Sequence, residues 1–175
     1  MRKTWDQLYL NIAKEMATMG TCHRRQVGCV LTDSNNTLVS TGINGVPSKW
    51  EHCRTFDEAV PGKKCAGADA ASGTGLDGCL ANHAEINALI RCPDVLAINT
   101  CYTTSSPCIS CIKALMCTSV RRIVFAERYP HTEAEELWTR SGLWIRHPHG
   151  GLITGHREWT QLVNGEYVYF SGSKD

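Results

Sequence analysis

The sequence predicts an α/β fold, a three-layer α/β/α sandwich on one mixed, five-stranded sheet. Three observations predict it. Runs with helical and with strand character follow one another in the order α-β-β-α-β-α-β-α-β. The first two β runs flank a short polar turn and read as a hairpin, whereas the later ones alternate with helical runs. A chain of 175 residues with 42% hydrophobic and 20% charged residues can fill one core. Residues 1–175 are read as a single domain, with a Gly-rich insertion at about 48–82 and an extension at about 147–175.

Thr4-Trp5-Asp6-Gln7 is a capping box: Thr4 satisfies a free backbone N–H and Gln7 reaches back. Trp5, Leu8, Tyr9, Ile12 and Met16 then recur at helical spacing until Gly20 ends the run. Residues 27–32 and 38–43 are the hairpin strands, joined through Asp33-Ser34-Asn35-Asn36. Gly42-Ile43-Asn44-Gly45-Val46-Pro47 leaves the hairpin as a loop, because Asn-Gly and Pro both break regular structure. From 48 to 82, Gly62, Gly67, Gly73, Gly75 and Gly78 stand among small residues that bury little surface. A loop that long in a compact domain is a candidate for function.

Residues 83–91 read as a helix, 98–103 as a strand, and Ser105-Ser106-Pro107 as a tight loop into a helix over 108–117. Pro107 suits that entry, where a missing N–H costs little. A strand at 122–126, a helix at 132–141 ended by Gly142 and a last strand at 143–146 complete the sheet. Farther on, Tyr167-Val168-Tyr169-Phe170 suits an edge strand or an oligomer contact, and His147-x-His149 reads as a surface turn.

The chemistry is concentrated in His83-Ala84-Glu85 and Pro107-Cys108-Ile109-Ser110-Cys111. One imidazole and two thiolates form a zinc set with a fourth position left for water, whose pKa falls from about 16 to about 7. Glu85, two residues from the first ligand, reaches that water without taking its place. Each half alone has a plainer explanation: H-x-E as a turn of surface helix, C-x-x-C as a structural half-site or a redox pair. Their order and spacing, with Pro107 before the first Cys, form the signature of zinc nucleobase deaminases. Both segments begin helices, whose positive N-terminal ends favour thiolate and carboxylate charge. Attack at C4 of cytosine needs a proton at N3 and another for the departing amine, and one carboxylate, Glu85, can deliver both. The H-E-x-x-H of metalloproteases is absent. A backbone carbonyl at Ser105 or Ser106 is a candidate acceptor for the amino group.

Ten cysteines are many for this length. Cys29 and Cys101 lie inside apolar runs and read as core, and Cys92 and Cys117, at helix ends, as packing residues. Cys22, Cys53, Cys65 and Cys79, with His23 and His52 beside two of them, remain as candidates for a second zinc. The formal charge of +1 and the absence of an Arg/Lys-rich stretch argue against a nucleic-acid substrate. No run approaches about 18 apolar residues, so no membrane helix is expected. Met1-Arg2-Lys3-Thr4-Trp5-Asp6 lacks a signal-peptide run, which leads us to expect a cytoplasmic protein. The competing functions are a deaminase of single-stranded nucleic acid, which needs a basic groove with stacking aromatics, and a non-catalytic zinc module, which leaves Glu85 without purpose.

Several stretches in order resemble the deoxycytidylate (dCMP) deaminases of the cytidine and deoxycytidylate deaminase superfamily. They are Gln26-Val27-Gly28, Gly42-x-Asn44-Gly45-x-Pro47, His83-Ala84-Glu85-x-Asn87-Ala88, Pro107-Cys108-x-x-Cys111, Arg122-Ile123-Val124-Phe125 and Tyr129. The resemblance covers about residues 5–146. It implies that His83, Cys108 and Cys111 bind the catalytic zinc, that Glu85 shuttles protons, that Asn44 and Ala84 meet the nucleotide, and that Tyr129 helps close the pocket. It also implies conversion of dCMP to dUMP, activation by dCTP, inhibition by dTTP, Mg²⁺ accompanying the triphosphate, and a homohexamer. Some viral members carry a second, structural zinc, with cysteines where Cys22 and Cys53 stand here. The candidates for holding phosphate or an effector are Arg24, Arg25, Lys49 and Arg54, by their position near the first strand and the Asn-Gly loop.

Overall fold

The sheet grows outward from β1 (Gly28–Thr32), whose five residues are all buried. On one side β1 pairs antiparallel with β2 (Leu38–Ile43), closing the predicted hairpin; on the other it pairs antiparallel with β3 (Thr100–Ser105). β3 pairs in parallel with β4 (Arg122–Glu127). The computed structural model describes residues 2–22, 24–50, 52–53, 67, 70–71, 74–75, 78–129, 132–141, 143–146 and 152–168, with backbone alone at 143–146 and 152–154. The expected roles of Cys65, Arg54, His23, His147, His149, Tyr169 and Phe170 therefore lie outside the described residues.

Side chains that alternate along the strands feed two cores, one on each face of the sheet. Val30, Tyr102 and Val124 point to one face and pack with Tyr9, Leu10 and Ala13 of α1 (Trp5–Ala17). Cys29, Leu31, Cys101, Ile123 and Phe125 point to the other. There they meet α2 (Ala84–Ile90), α3 (Ile109–Met116) and α4 (Thr132–Arg140) through Ala84, Ala88, Ile112, Leu115, Ala134 and Trp138. Leu31, Ile112, Leu115 and Phe125 are fully buried, which contributes about 1.5–3 kcal/mol each. The capping box forms as predicted: the Thr4 side chain accepts from the Gln7 backbone N–H at 3.2 Å, and Gln7 Oε1 accepts from Thr4 N at 3.0 Å.

Two glycines set how closely helices approach the sheet. A Cβ on Gly28 would lie 1.9 Å from the Ala13 carbonyl oxygen, so α1 can cross β1 only where no side chain stands. A Cβ on Gly42 would lie 2.1 Å from the Ala84 carbonyl oxygen, which brings the first turn of α2 down onto β2.

The far edge of the sheet differs from expectation. β5 (Leu143–Arg146) does not complete the main sheet but pairs antiparallel with β6 (Leu152–Gly155) in a separate two-stranded sheet. The place beside β4 belongs to β7 (Glu158–Val163), which pairs in parallel from Arg122↔Glu158 to Phe125↔Gln161. Four residues find their backbone partners locally, whereas β7 brings apolar contacts to the core. The Trp159 ring lies 5.1 Å from that of Phe125, and Leu162 joins the α1 cluster. β8 (Glu166–Val168) folds back antiparallel on β7 as the edge strand, giving six strands in the order β2-β1-β3-β4-β7-β8. Cys29 and Cys101 are core residues as expected, with Sγ atoms 3.6 Å apart, but Cys117 is exposed rather than packed.

Candidate active site

The ends of three elements meet where the hairpin, α2 and α3 converge. His83 is the N-cap of α2 and Cys108 the N-cap of α3, both with extended backbone, so each side chain projects ahead of its helix. Cys111 sits one turn inside α3 and Glu85 in the first turn of α2. Parallel pairing of β3 with β4 and packing of both helices on one sheet face bring these four residues together.

The three metal-ligand candidates form one cluster, with ligand atoms all within 4.8 Å of one another. His83 Nδ1 lies 3.3 Å from Cys108 Sγ and 3.4 Å from Cys111 Sγ. Bonds from the Cys111 thiol and the His83 ring bring the Cys108 thiol down to about 3, against the opposing push of burial. The bond to Cys108 raises His83, more than burial lowers it. One imidazole and two buried sulfurs at this separation are the soft, compact donor set that suits tetrahedral zinc, with one position open. Glu85 is buried beside the cluster, 3.5 Å from Cys111 Sγ, and burial raises its pKa above the ordinary carboxylate value.

The cluster opens into a cavity of ≈ 560 Å³. His83, Ala84, Glu85 and Cys108 line its floor together with Asn44, Ser105 and Tyr129 from the predicted set. Asn44 is buried with its amide engaged: Oδ1 accepts from Val27 N at 2.7 Å, and Nδ2 donates to the Arg25 carbonyl at 2.5 Å. It thereby holds the 25–27 stretch against the Asn-Gly loop. Asn87, two residues beyond Glu85, donates from Nδ2 to the Ile43 carbonyl at 2.7 Å and fixes that loop to α2.

Arg25 also lines the cavity. It donates from NH1 to Ser105 Oγ at 3.0 Å, pairs through NH2 with Glu127 at 3.4 Å, and lies 5.7 Å from the centre of the Tyr129 ring. Ser106 Oγ accepts from the Tyr129 backbone N–H at 2.7 Å. Arg24 lines the cavity too, whereas Lys49 is exposed and is not among the lining residues. Cys22 and Cys53 are buried, and Cys22 and Cys79 face the cavity. Neither they nor His52 join a three-ligand group among the described residues.

Val27, Ala70, Ala81 and Glu127 were not among the expected site residues. The Gln26-Val27-Gly28 stretch held a signal for the first; the others become neighbours of the site only in the folded chain.

The family model described as the cytidine and deoxycytidylate deaminase zinc-binding region matches residues 3–127. The chain belongs to the cytidine and deoxycytidylate deaminase family. The matched range, described as a zinc-binding region, holds the whole cluster and Glu85. Among its relatives, the deoxycytidylate deaminase of Mycobacterium phage D29 is 33% identical over 125 residues, 71% of this chain and 95% of the phage protein. The deoxycytidylate deaminase of Saccharomyces cerevisiae (strain ATCC 204508 / S288c) is 30% identical over 149 residues, 83% of this chain. The matched part spans 45% of that yeast protein, less than half its length. The crystal structure of dCMP deaminase from the cyanophage S-TIM5 in complex with dCMP and dUMP shares the deaminase fold. Its TM-score is 0.58 at 21% identity, over 78% of this chain and 91% of that one. The sandwich and its mixed sheet are therefore those of the deaminase fold, with six strands here instead of the expected five. Among the described residues, no helix is long and apolar enough to cross a membrane.

Proposed function

We propose that this chain hydrolyses dCMP to dUMP and ammonia. The observation that carries the reading is a cluster of three candidate metal ligands and a buried carboxylate beside one cavity that is also lined by a cation, Arg25. Zinc held by His83, Cys108 and Cys111 would lower the pKa of a water at its open position to about 7. Glu85 is the proton carrier: it takes a proton from the attacking water and gives it to N3 of the base, then takes that water's second proton from the hydroxyl now on C4 and gives it to the amine leaving C4. Its burial beside the three candidate ligands supports that task. Water enters and ammonia leaves, so atoms and charge balance without a further reactant.

Ala84 and Ser105 face the base, and Tyr129 covers the pocket. Asn44 retains one amide proton and one oxygen lone pair beyond its two backbone bonds, enough to meet the sugar or base. Arg25 takes the phosphate: Ser105 and the Tyr129 ring hold its guanidinium toward the cavity, and its surface pairing with Glu127 is weak enough to yield. Arg54 lies outside the described residues, and Lys49 is removed from the cavity lining, so neither has support comparable to Arg25.

By resemblance, dCTP with Mg²⁺ activates, dTTP inhibits, and the chain assembles as a hexamer. A second zinc on Cys22, Cys53 and Cys79, with Cys65, accords with the burial of the first two. Ammonia release measured across cytidine, deoxycytidine, dCMP and dCTP, with and without dCTP or dTTP as effector, tests the reading. We expect dCMP to be preferred; equal rates on deoxycytidine and dCMP would remove the phosphate from recognition and the proposal with it.

A further inference from the structure

Arg24 and Arg25 are adjacent and both line the cavity, but their guanidinium groups have different partners. Arg25 bonds Ser105 and Glu127, at the ends of β3 and β4. Arg24 turns toward the insertion: NH2 donates to the Ala71 carbonyl at 2.7 Å and NH1 to the Thr74 carbonyl at 3.2 Å. Charge-assisted bonds of this kind are among the stronger ones a surface arginine can make.

The segment that receives them has its own internal bonding. Thr74 N donates to the Ala71 carbonyl at 3.0 Å and Thr74 Oγ1 to the same oxygen at 2.8 Å. Gly67 N donates to the Gly78 carbonyl at 3.1 Å, and Gly78 N to the Gly75 carbonyl at 3.2 Å. Downstream the segment is tied to the Asn-Gly loop, where Gly45 N and Asn82 N each donate to the other residue's carbonyl. Ala70, next to the first carbonyl that Arg24 holds, lines the cavity, and so does Cys79. Cβ space is tight inside the turn, since a side chain on Gly67 would lie 2.9 Å from the Gly75 carbonyl oxygen.

We infer that Arg24 is a positioning residue that staples Ala71 and Thr74 beside the active site, making Ala70 and Cys79 a wall of the substrate cavity. The insertion is then part of nucleotide recognition, and Arg24 acts through it without touching the reacting atoms. This inference rests on the reading that the cavity takes dCMP. The metal ligands and Glu85 stand on α2 and α3, which the sheet holds independently of Arg24. Loss of the staple therefore separates binding from chemistry.

The test compares the wild-type zinc enzyme with Arg24→Ala and Arg24→Lys, by amide hydrogen exchange over 67–80 and by kinetics on dCMP. With Arg24→Ala we expect exchange there to quicken about tenfold and KM to rise about fivefold or more, with kcat within about threefold and zinc content unchanged. Arg24→Lys should recover part of both effects, because an ammonium can still donate to one of the two carbonyls. Unchanged exchange would overturn the staple, and faster exchange with an unchanged KM would overturn the wall. A wild-type protein that released no ammonia from dCMP would instead remove the functional reading. The exchange comparison needs no substrate and would still decide the staple.

Discussion

Asn87 on α2 donates to the carbonyl of Ile43 at the end of β2, 2.7 Å away, and so binds the helix that carries Glu85 to the loop that carries Asn44. The same helix turn places Glu85 beside the metal cluster. One amide thus couples the two sides of the pocket. Asn87→Ala should lower kcat/KM on dCMP by about tenfold while retaining zinc, since one half-buried acceptor loses its donor at a cost of about 1 kcal/mol. Steady-state kinetics beside metal analysis checks this, and unchanged kcat/KM would show that the loop holds without it.

Gly42 permits that closeness. An added methyl would lie 2.1 Å from the Ala84 carbonyl oxygen and 2.5 Å from Ala88 N, atoms of the helix backbone that cannot swing aside. Gly42→Ala should therefore displace α2 and destabilise the fold by about 1–3 kcal/mol or more, as overpacking does. Denaturant unfolding reads the change, and a midpoint equal to wild type would contradict the packing described.

Asp6 anchors the far side of the sheet. It accepts from Tyr102 at 2.8 Å, Tyr167 at 2.9 Å and Arg122 NH2 at 3.0 Å, joining α1 to β3, β8 and β4. Burial pushes its carboxyl up, but Arg122 and the two tyrosines outweigh burial and leave it below the ordinary 3.8. A carboxyl depressed in the folded state contributes stability that is present above the unfolded value and is lost as pH falls through the folded one. The wild-type protein should thus lose a component of stability below about pH 4 that Asp6→Asn lacks. At neutral pH Asp6→Asn should cost about 2 kcal/mol, below the range for a fully buried pair because Arg122 keeps Glu158 at 2.7 Å. Thermal unfolding from pH 3 to 7 separates the two, and parallel curves for both proteins would exclude the linkage.

Cys108→Ser replaces a soft thiolate with a hydroxyl that does not ionise near neutrality. Zinc per chain should fall by one relative to wild type and ammonia release should disappear, with the core on the opposite sheet face unaffected. Metal analysis and circular dichroism on the same sample check both parts.

What could be read from the sequence was whatever depends on short spacing. His83, Glu85, Cys108 and Cys111 lie in two short stretches, each opening a helix, so their convergence needed only the α/β order to be right. The capping box at Thr4 and Gln7 was legible for the same reason. Arg25 was among the phosphate candidates, but its partners were not legible, because Ser105 and Glu127 lie 80 and 102 residues away. β7 escaped because Thr160 and Gln161 interrupt its apolar character and only Leu162 is buried, so it carries little of the alternation that marks a strand. Arg24 and Arg25 look equivalent as letters; only the folded insertion gives them different partners.

The most direct measurement is ammonia release from dCMP by Glu85→Gln with its zinc intact. Gln keeps the shape of Glu85 and cannot carry a proton. The predicted result is wild-type zinc content with release reduced roughly 10²–10⁴-fold, the usual weight of a positioned acid–base group. Full ammonia release with zinc retained would contradict the account.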